Sequence, residues 1–167
     1  QRDFLLKLRG ALVDCSGTAK SPVIFNVVQN ESTLRFLCRG DVALHAKAGV
    51  ATPDHVIRVK PFPLVITPKQ NSSIEDFKKI AEKSFKEYRK KYVKYFNINK
   101  KKAKGKKIML DTSPRVILVQ NVGLFSVGDS LNASKIDGDL TETNARVISS
   151  VEETTKYKFI PEKDLFD

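Results

Sequence analysis

The sequence predicts a layered domain that mixes helices and strands, α/β or α+β in class. Two long stretches carry apolar residues at helical spacing, short β-rich runs bounded by glycine and proline lie between them, and an early pair of such runs flanks a turn-forming tetrapeptide. At 167 residues the chain suits one domain with a single proper core and no need of staples.

In chain order, Phe4 to Leu12 reads as a short helix closed near Gly10. Val23 to Val28 and Leu34 to Leu37 read as strands of a hairpin around Gln29-Asn30-Glu31-Ser32. Asp41 to Lys47 is Ala-rich and long enough for one or two helical turns, ended by Gly49. Leu64 to Thr67 is a short strand between Pro63 and Pro68, a setting that fits a strand end better than a sheet centre. From Ser73 onward, Ile74, Phe77, Ala81, Phe85, Tyr88, Tyr92 and Tyr95 recur at steps of three or four, which makes an amphipathic helix with Ser73 as its cap. The apolar pattern stops at Asn97, and 97–107 reads as a solvated lysine-rich surface loop. Pro114 to Gln120 and Gly123 to Gly128 are two strands. A last helix, capped by Ser130, runs to about Thr154 with Ala133, Ile136, Leu140, Asn144, Val147, Ile148 and Val151 along one face. Gly138 inside it costs about 1 kcal/mol relative to alanine, so it is expected to serve a bend or a close packing contact.

The net charge of +11 is local in origin. Lys78 to Lys107 holds 14 basic residues against Glu82 and Glu87, and the remainder is close to neutral. Interleaved aromatic and lysine side chains can form a platform for single-stranded nucleic acid. The aromatics here keep helical spacing, so they are expected in the core with the lysines on a wet face, and nucleic acid is not the expected partner. With 41% hydrophobic and 29% charged residues the composition is that of a soluble protein. No apolar run approaches the roughly 20 residues that span a bilayer, and the first residues lack the order of a signal peptide, so the expected location is cytoplasmic. Cys15 and Cys38 form neither a disulfide framework nor a metal-type pair and are expected as buried free thiols. The sequons at Asn30, Asn71 and Asn132 are chance matches without a secretory route. Nucleotide-loop, zinc-protease and nucleophile-elbow motifs are absent from the sequence.

The densest group of unusual residues is Thr52-Pro53-Asp54-His55-Val56-Ile57-Arg58-Val59-Lys60-Pro61. Pro53 holds the chain at a rigid bend, where Asp54 can orient a histidine nitrogen or cap the next element. If 56–60 is extended, Val56, Arg58 and Lys60 share one face. Arg58 and Lys60 would then clamp a sugar phosphate or an acidic side chain, the first by a planar fork and the second as a point charge. A purely structural role for Thr52, Asp54, His55, Arg58 and Lys60, as turn residues and boundary ion pairs, stands beside that reading. His45, on a short apolar segment, is expected as a partly buried helix residue.

This stretch resembles the Thr-Pro-Asp-His-(apolar)-Ile-Arg-Thr-Lys-Pro signature of large bacterial proteins described as bifunctional aldolase and short-chain dehydrogenase, of the rhamnulose-1-phosphate aldolase type. Leu8-Arg9-Gly10-Ala11 before it, and Asp164-Leu165-Phe166-Asp167 at the end, fit the same proteins. Pro114 to Gly128, with the helix after it, resembles the closing strands and helix of the class II aldolase and adducin fold. The resemblance implies a mixed sheet flanked by two long helices. It also implies a histidine zinc ligand where this sequence has Val122, which has no lone pair to offer a metal. No His-x-His pair is present, and no local geometry joins His45 to His55.

The resemblance therefore implies a degenerate, metal-free, aldolase-like middle lobe, a piece of a longer oligomeric protein. Zinc would be held by a covalently linked aldolase domain and NAD by a linked dehydrogenase domain, with no cofactor in this part. The alternative is a non-catalytic adducin-like interaction domain that uses its basic surface.

Overall fold

The computed structural model describes residues 2–16, 23–46, 49–50, 52–69, 72–158, 160–161 and 164–166. Its centre is a four-stranded sheet in the order β1-β4-β3-β2, formed by β1 (Ile24–Val28), β2 (Leu64–Ile66), β3 (Val116–Val119) and β4 (Gly123–Gly128). The sheet is mixed: β1 with β4 and β4 with β3 are antiparallel, whereas β2 lies parallel to β3 at the edge. The fold is thus α/β, with helices on both faces.

Strand β3 is buried on both sides, and its period of two divides the interior. Ile117 and Val119 face a core built with helices α1 (Arg2–Ser16) and α5 (Ile74–Lys100). Val116 and Leu118 face the opposite core, made with α2 (Glu31–Leu37), α3 (Val42–His45), α4 (Val56–Val59) and α6 (Leu131–Glu152). Helix α5 starts with a reciprocal capping box between Ser73 and Asp76, which satisfies two otherwise orphaned donors. Its buried stripe includes Phe77, Ala81, Phe85, Tyr88, Tyr92 and Tyr95. Phe62 meets Tyr88 and Tyr95 edge-on at 5.5 and 5.8 Å, a geometry worth about 0.5–1.5 kcal/mol per pair beyond area burial.

Several sequence expectations are corrected. Helix α1 runs through Gly10, whose missing side chain faces open space and imposes no stop. Leu34 to Leu37 is helix, not strand, because Asn30 caps it by accepting a hydrogen bond from the Thr33 amide at 2.9 Å. The turn-rich tetrapeptide is thus a helix start, and β1 pairs with β4 about a hundred residues away. Helix α5 continues to Lys100 because Tyr95, Phe96 and Asn99 are buried, so the lysine-rich loop begins at Lys101. Cys38 is exposed rather than buried, and the Cys15 side chain lies outside the described residues.

The last helix corrects a face. The buried positions of α6 are Ser134, Asp137, Gly138, Thr141, Ala145 and Ile148, and Val147 is exposed. Small and polar side chains allow the helix to approach the sheet closely: the Ser126 hydroxyl donates to the Ser134 carbonyl at 2.6 Å. A Cβ on Gly138 would stand 2.6 Å from Asn26 Nδ2 and 2.9 Å from Ser126 Oγ, so close packing rather than a bend explains this glycine. Among the described residues, no helix is long and apolar enough to cross a membrane.

Candidate functional site

Thr52 is extended and precedes a single 3-10 turn, Pro53–His55, which runs into the four-residue helix α4. Proline at the first turn position suits this start, since it has no amide to leave unpaired. The segment 56–60 is therefore helical at 56–59 and not extended, and Arg58 and Lys60 do not share a face. Thr52 and Arg58 are exposed, His55 is half-buried and Lys60 is buried. The Asp54 side chain lies outside the described residues.

Lys60 is the most constrained member. Its φ of 64° and ψ of 168° fall in a region that is essentially glycine's, which costs roughly 1–3 kcal/mol. Its ammonium donates to the Asp111 and Ser113 carbonyls at 2.5 and 2.6 Å, lies 3.5 Å from Asp111 Oδ1 and sits 4.5 Å above the Tyr92 ring. Burial pushes its pKa down to about 8, with Asp111 opposing the shift. Lys60 is a clasp on the loop that enters β3, and its donors are spent there. The clamp on a phosphate shared with Arg58 does not form.

The fold brings together what sequence spacing kept apart. His45 and His55 line one small cavity of about 30 Å³, with Lys60, Thr141 and Asn144 in its otherwise apolar wall. His45 lies in helix α3, as expected, and is buried there rather than partly buried. Its Nε2 lies 2.8 Å from Asp41 Oδ2, and Arg39 grips the same carboxylate at 2.9 and 3.2 Å. The Arg39 hydrogen bond, with His45 as a further partner, holds Asp41 far below the usual carboxylate range. Asn144 donates from Nδ2 to the Gly49 carbonyl at 3.0 Å. Three buried atoms of this wall are unpartnered among the described residues: His45 Nδ1, His55 Nδ1 and Asn144 Oδ1. Sequence reasoning missed the assembly, although the four-residue step from Asp41 to His45 on a helical segment was a signal for that pair.

On the far side of the motif lies a larger groove of about 690 Å³, between α4, the second half of α5, the segment after the lysine-rich loop and the end of the chain. Tyr92, Tyr95, Phe96 and Phe166 contribute aromatic walls, and Lys106 and Lys107 add charge. Three large apolar side chains on this groove stand in solvent: Ile57, Ile108 and Leu110 are 75%, 79% and 53% exposed.

The position where the resemblance implies a zinc-binding histidine does not fit a metal. Val122 closes the turn between β3 and β4, its amide donating to the Val119 carbonyl at 3.0 Å, and its side chain packs against the α1 and α5 core. Among the described residues, no group of three or more His, Cys, Asp or Glu side chains is placed to hold an ion.

Comparison with known proteins agrees with this architecture. Residues 1–167 match the model of the family described as aldolase class II, second domain. The chain is 27% identical over 136 residues to the uncharacterized oxidoreductase YuxG of Bacillus subtilis (strain 168), a match that covers 80% of this chain and 18% of YuxG. Two solved structures share the fold. The YgbL proteins of Klebsiella pneumoniae and Escherichia coli, each titled "a putative aldolase/epimerase/decarboxylase", superpose with TM-scores of 0.64 and 0.58 at 13% and 12% identity. Both matches cover 97% of this chain and 63% of the YgbL chain. The chain therefore spans less than a fifth of its curated relative and under two thirds of these structures. With its whole length matched and the layered sheet in place, the chain belongs to the aldolase class II, second domain family.

Proposed function

We propose that this domain is a metal-free supporting lobe of a larger protein of the rhamnulose-1-phosphate aldolase/dehydrogenase type. It stabilises the assembly and contributes Arg58 and Thr52, the exposed members of its motif, to the edge of a sugar-phosphate site built mainly by the linked aldolase domain. NAD belongs to the linked dehydrogenase domain. The match to an oxidoreductase several times longer than this chain supports the fused arrangement. One observation carries the supporting role: the motif's histidine lines a cavity of about 30 Å³ inside the domain, and its lysine is bound to the Asp111 and Ser113 carbonyls. Small-molecule sites measure roughly 300–1,000 Å³, so a sugar phosphate does not enter there. The site, if shared, lies where Arg58 meets solvent.

The test uses the intact protein. Arg58→Ala is expected to raise the KM for the sugar phosphate about tenfold, the equivalent of one charge-assisted hydrogen bond, with zinc content and dehydrogenase turnover unchanged. An unaltered KM would remove the motif from the substrate site. Zinc held by residues 1–167 would end the metal-free reading.

A second reading, a non-catalytic interaction domain, draws on the 690 Å³ groove with its exposed Ile57, Ile108 and Leu110 beside Lys106 and Lys107. Apolar side chains gathered in this way mark interaction surfaces, and the lysines favour an acidic partner. Replacing the lysines from Lys100 to Lys107 by glutamate separates the readings. Loss of a partner with sugar chemistry intact favours the second.

A further inference from the structure

Two of the three unpartnered atoms around the small cavity have their roles fixed by the groups behind them. Arg39 keeps Asp41 ionised, so the carboxylate can only accept, and His45 Nε2 must be the donor in their 2.8 Å contact. Arg39 Nη2, 3.1 Å from the same ring nitrogen, is then a neighbour and not its hydrogen-bond partner. In the neutral ring this leaves the lone pair on His45 Nδ1. Asn144 spends Nδ2 on the Gly49 carbonyl, so its buried Oδ1 is an acceptor. His55 Nδ1 is the third atom, and it is free to be either donor or acceptor.

We propose that one water molecule is bound among His45, His55 and Asn144, and that it sets the tautomer of the motif histidine. The water donates one proton to His45 Nδ1 and the other to Asn144 Oδ1, and it accepts from His55 Nδ1–H. Buried waters typically make about three hydrogen bonds, and a cavity needs roughly 10–15 Å³ to hold one, which this cavity of about 30 Å³ supplies. A metal ion is the competing occupant of two imidazoles and a carbonyl. The charges oppose it: Arg39 stands behind His45, and no carboxylate is among the described residues of the wall. The Thr141 hydroxyl spends its proton on the Asp137 carbonyl at 2.7 Å, so it offers the water no donor.

The consequence reaches the motif. Asp41, His45, the water and His55 form one hydrogen-bonded chain that holds His55 as the Nδ1–H tautomer and leaves the lone pair on Nε2. The half-exposed ring of His55 is thereby prepared to accept a proton or a hydrogen bond at Nε2 from whatever meets the motif. Asp41, His45 and Asn144 are positioning residues for it. This assignment holds whether or not the motif touches a sugar phosphate, and its test reads no activity.

The experiment is a two-bond ¹H–¹⁵N correlation on protein labelled at histidine, with His45→Phe and His55→Phe spectra assigning the two rings. The expected spectrum shows His45 protonated at Nε2 and His55 at Nδ1, each with a cross-peak to a long-lived water. In Asn144→Leu the His55 preference for Nδ1–H is lost while the His45 pattern, fixed by Asp41, persists. A wild-type His55 protonated at Nε2, or rings without a bound water, overturns the proposal. So does stoichiometric binding of added Zn²⁺ that His45→Phe abolishes. Should Asn144→Leu fail to fold, the wild-type spectrum decides alone.

Discussion

Replacing Asp137 by asparagine should stabilise the domain near neutral pH and do nothing in acid. Asp137 is 4% exposed on the buried face of α6, and burial pushes its pKa up to about 6, against the opposing pull of Arg115 and Arg58. A carboxyl whose folded pKa is raised binds more protons folded than unfolded between its ordinary value of 3.8 and about 6. Stability therefore falls as pH rises through that window, and the cost is complete above it. A shift of about two units at about 1.4 kcal/mol each sets a ceiling of roughly 3 kcal/mol. The amide must still find hydrogen-bond partners, so the expected gain is about 1–3 kcal/mol at pH about 7.5 and close to zero at pH about 3.5. Urea unfolding of wild type and Asp137→Asn at the two pH values measures it. A variant that is less stable than wild type at the higher pH would refute the reasoning, because it would mean that Arg115 or Arg58 holds the carboxylate in a favourable ion pair.

Two further substitutions probe the packing. Gly138→Ala gains about 1 kcal/mol of helix propensity but drives a methyl group to 2.6 Å from Asn26 Nδ2, so thermal unfolding should show a net loss of roughly 1–3 kcal/mol. Lys60→Met keeps the chain's bulk and removes the donors to the Asp111 and Ser113 carbonyls, for an expected loss of about 2 kcal/mol by urea unfolding. Because the folded pKa of Lys60 lies below its ordinary value, wild type should gain on this variant as pH rises from about 8 toward 10.5.

The strands and the long aromatic helix were legible because their signals are local and redundant. Val116, Ile117 and Val119 form a β-branched run between Pro114 and Gly123, and α5 repeats its apolar step from Ile74 to Tyr95, about six turns, with a cap at Ser73. Leu34 to Leu37 was misread because Asn30 serves equally well in a turn and as a helix cap, and only the pairing of β1 with distant β4 decides between them. The face of α6 was misread for a different reason. Hydrophobic periodicity assumes that apolar residues face the core, yet Ser134, Asp137, Gly138 and Thr141 are buried because the sheet lies too close for larger side chains. At the candidate site the motif itself was visible. Its convergence with Arg39, Asp41, His45 and Asn144 was not, since α3, α4 and α6 meet only through the second core.

The two faces of the sheet differ in a way that packing alone does not require. On the α1 and α5 face the buried polar residue among the described residues is Asn99, whose Nδ2 donates to the Tyr95 carbonyl one turn earlier. The opposite face buries Thr33, His45, Ser126, Ser134, Asp137 and Thr141, with Lys60 at the boundary. Apolar residues of similar volume would generally be as stable or more stable than buried ionisable groups. Each such group here is reconciled with its surroundings separately: His45 through Asp41, Lys60 through two carbonyls, and Asp137 through a raised proton affinity. Beside these groups, among the described side chains of the Thr52 to Lys60 motif, Arg58 is the charged one that reaches solvent.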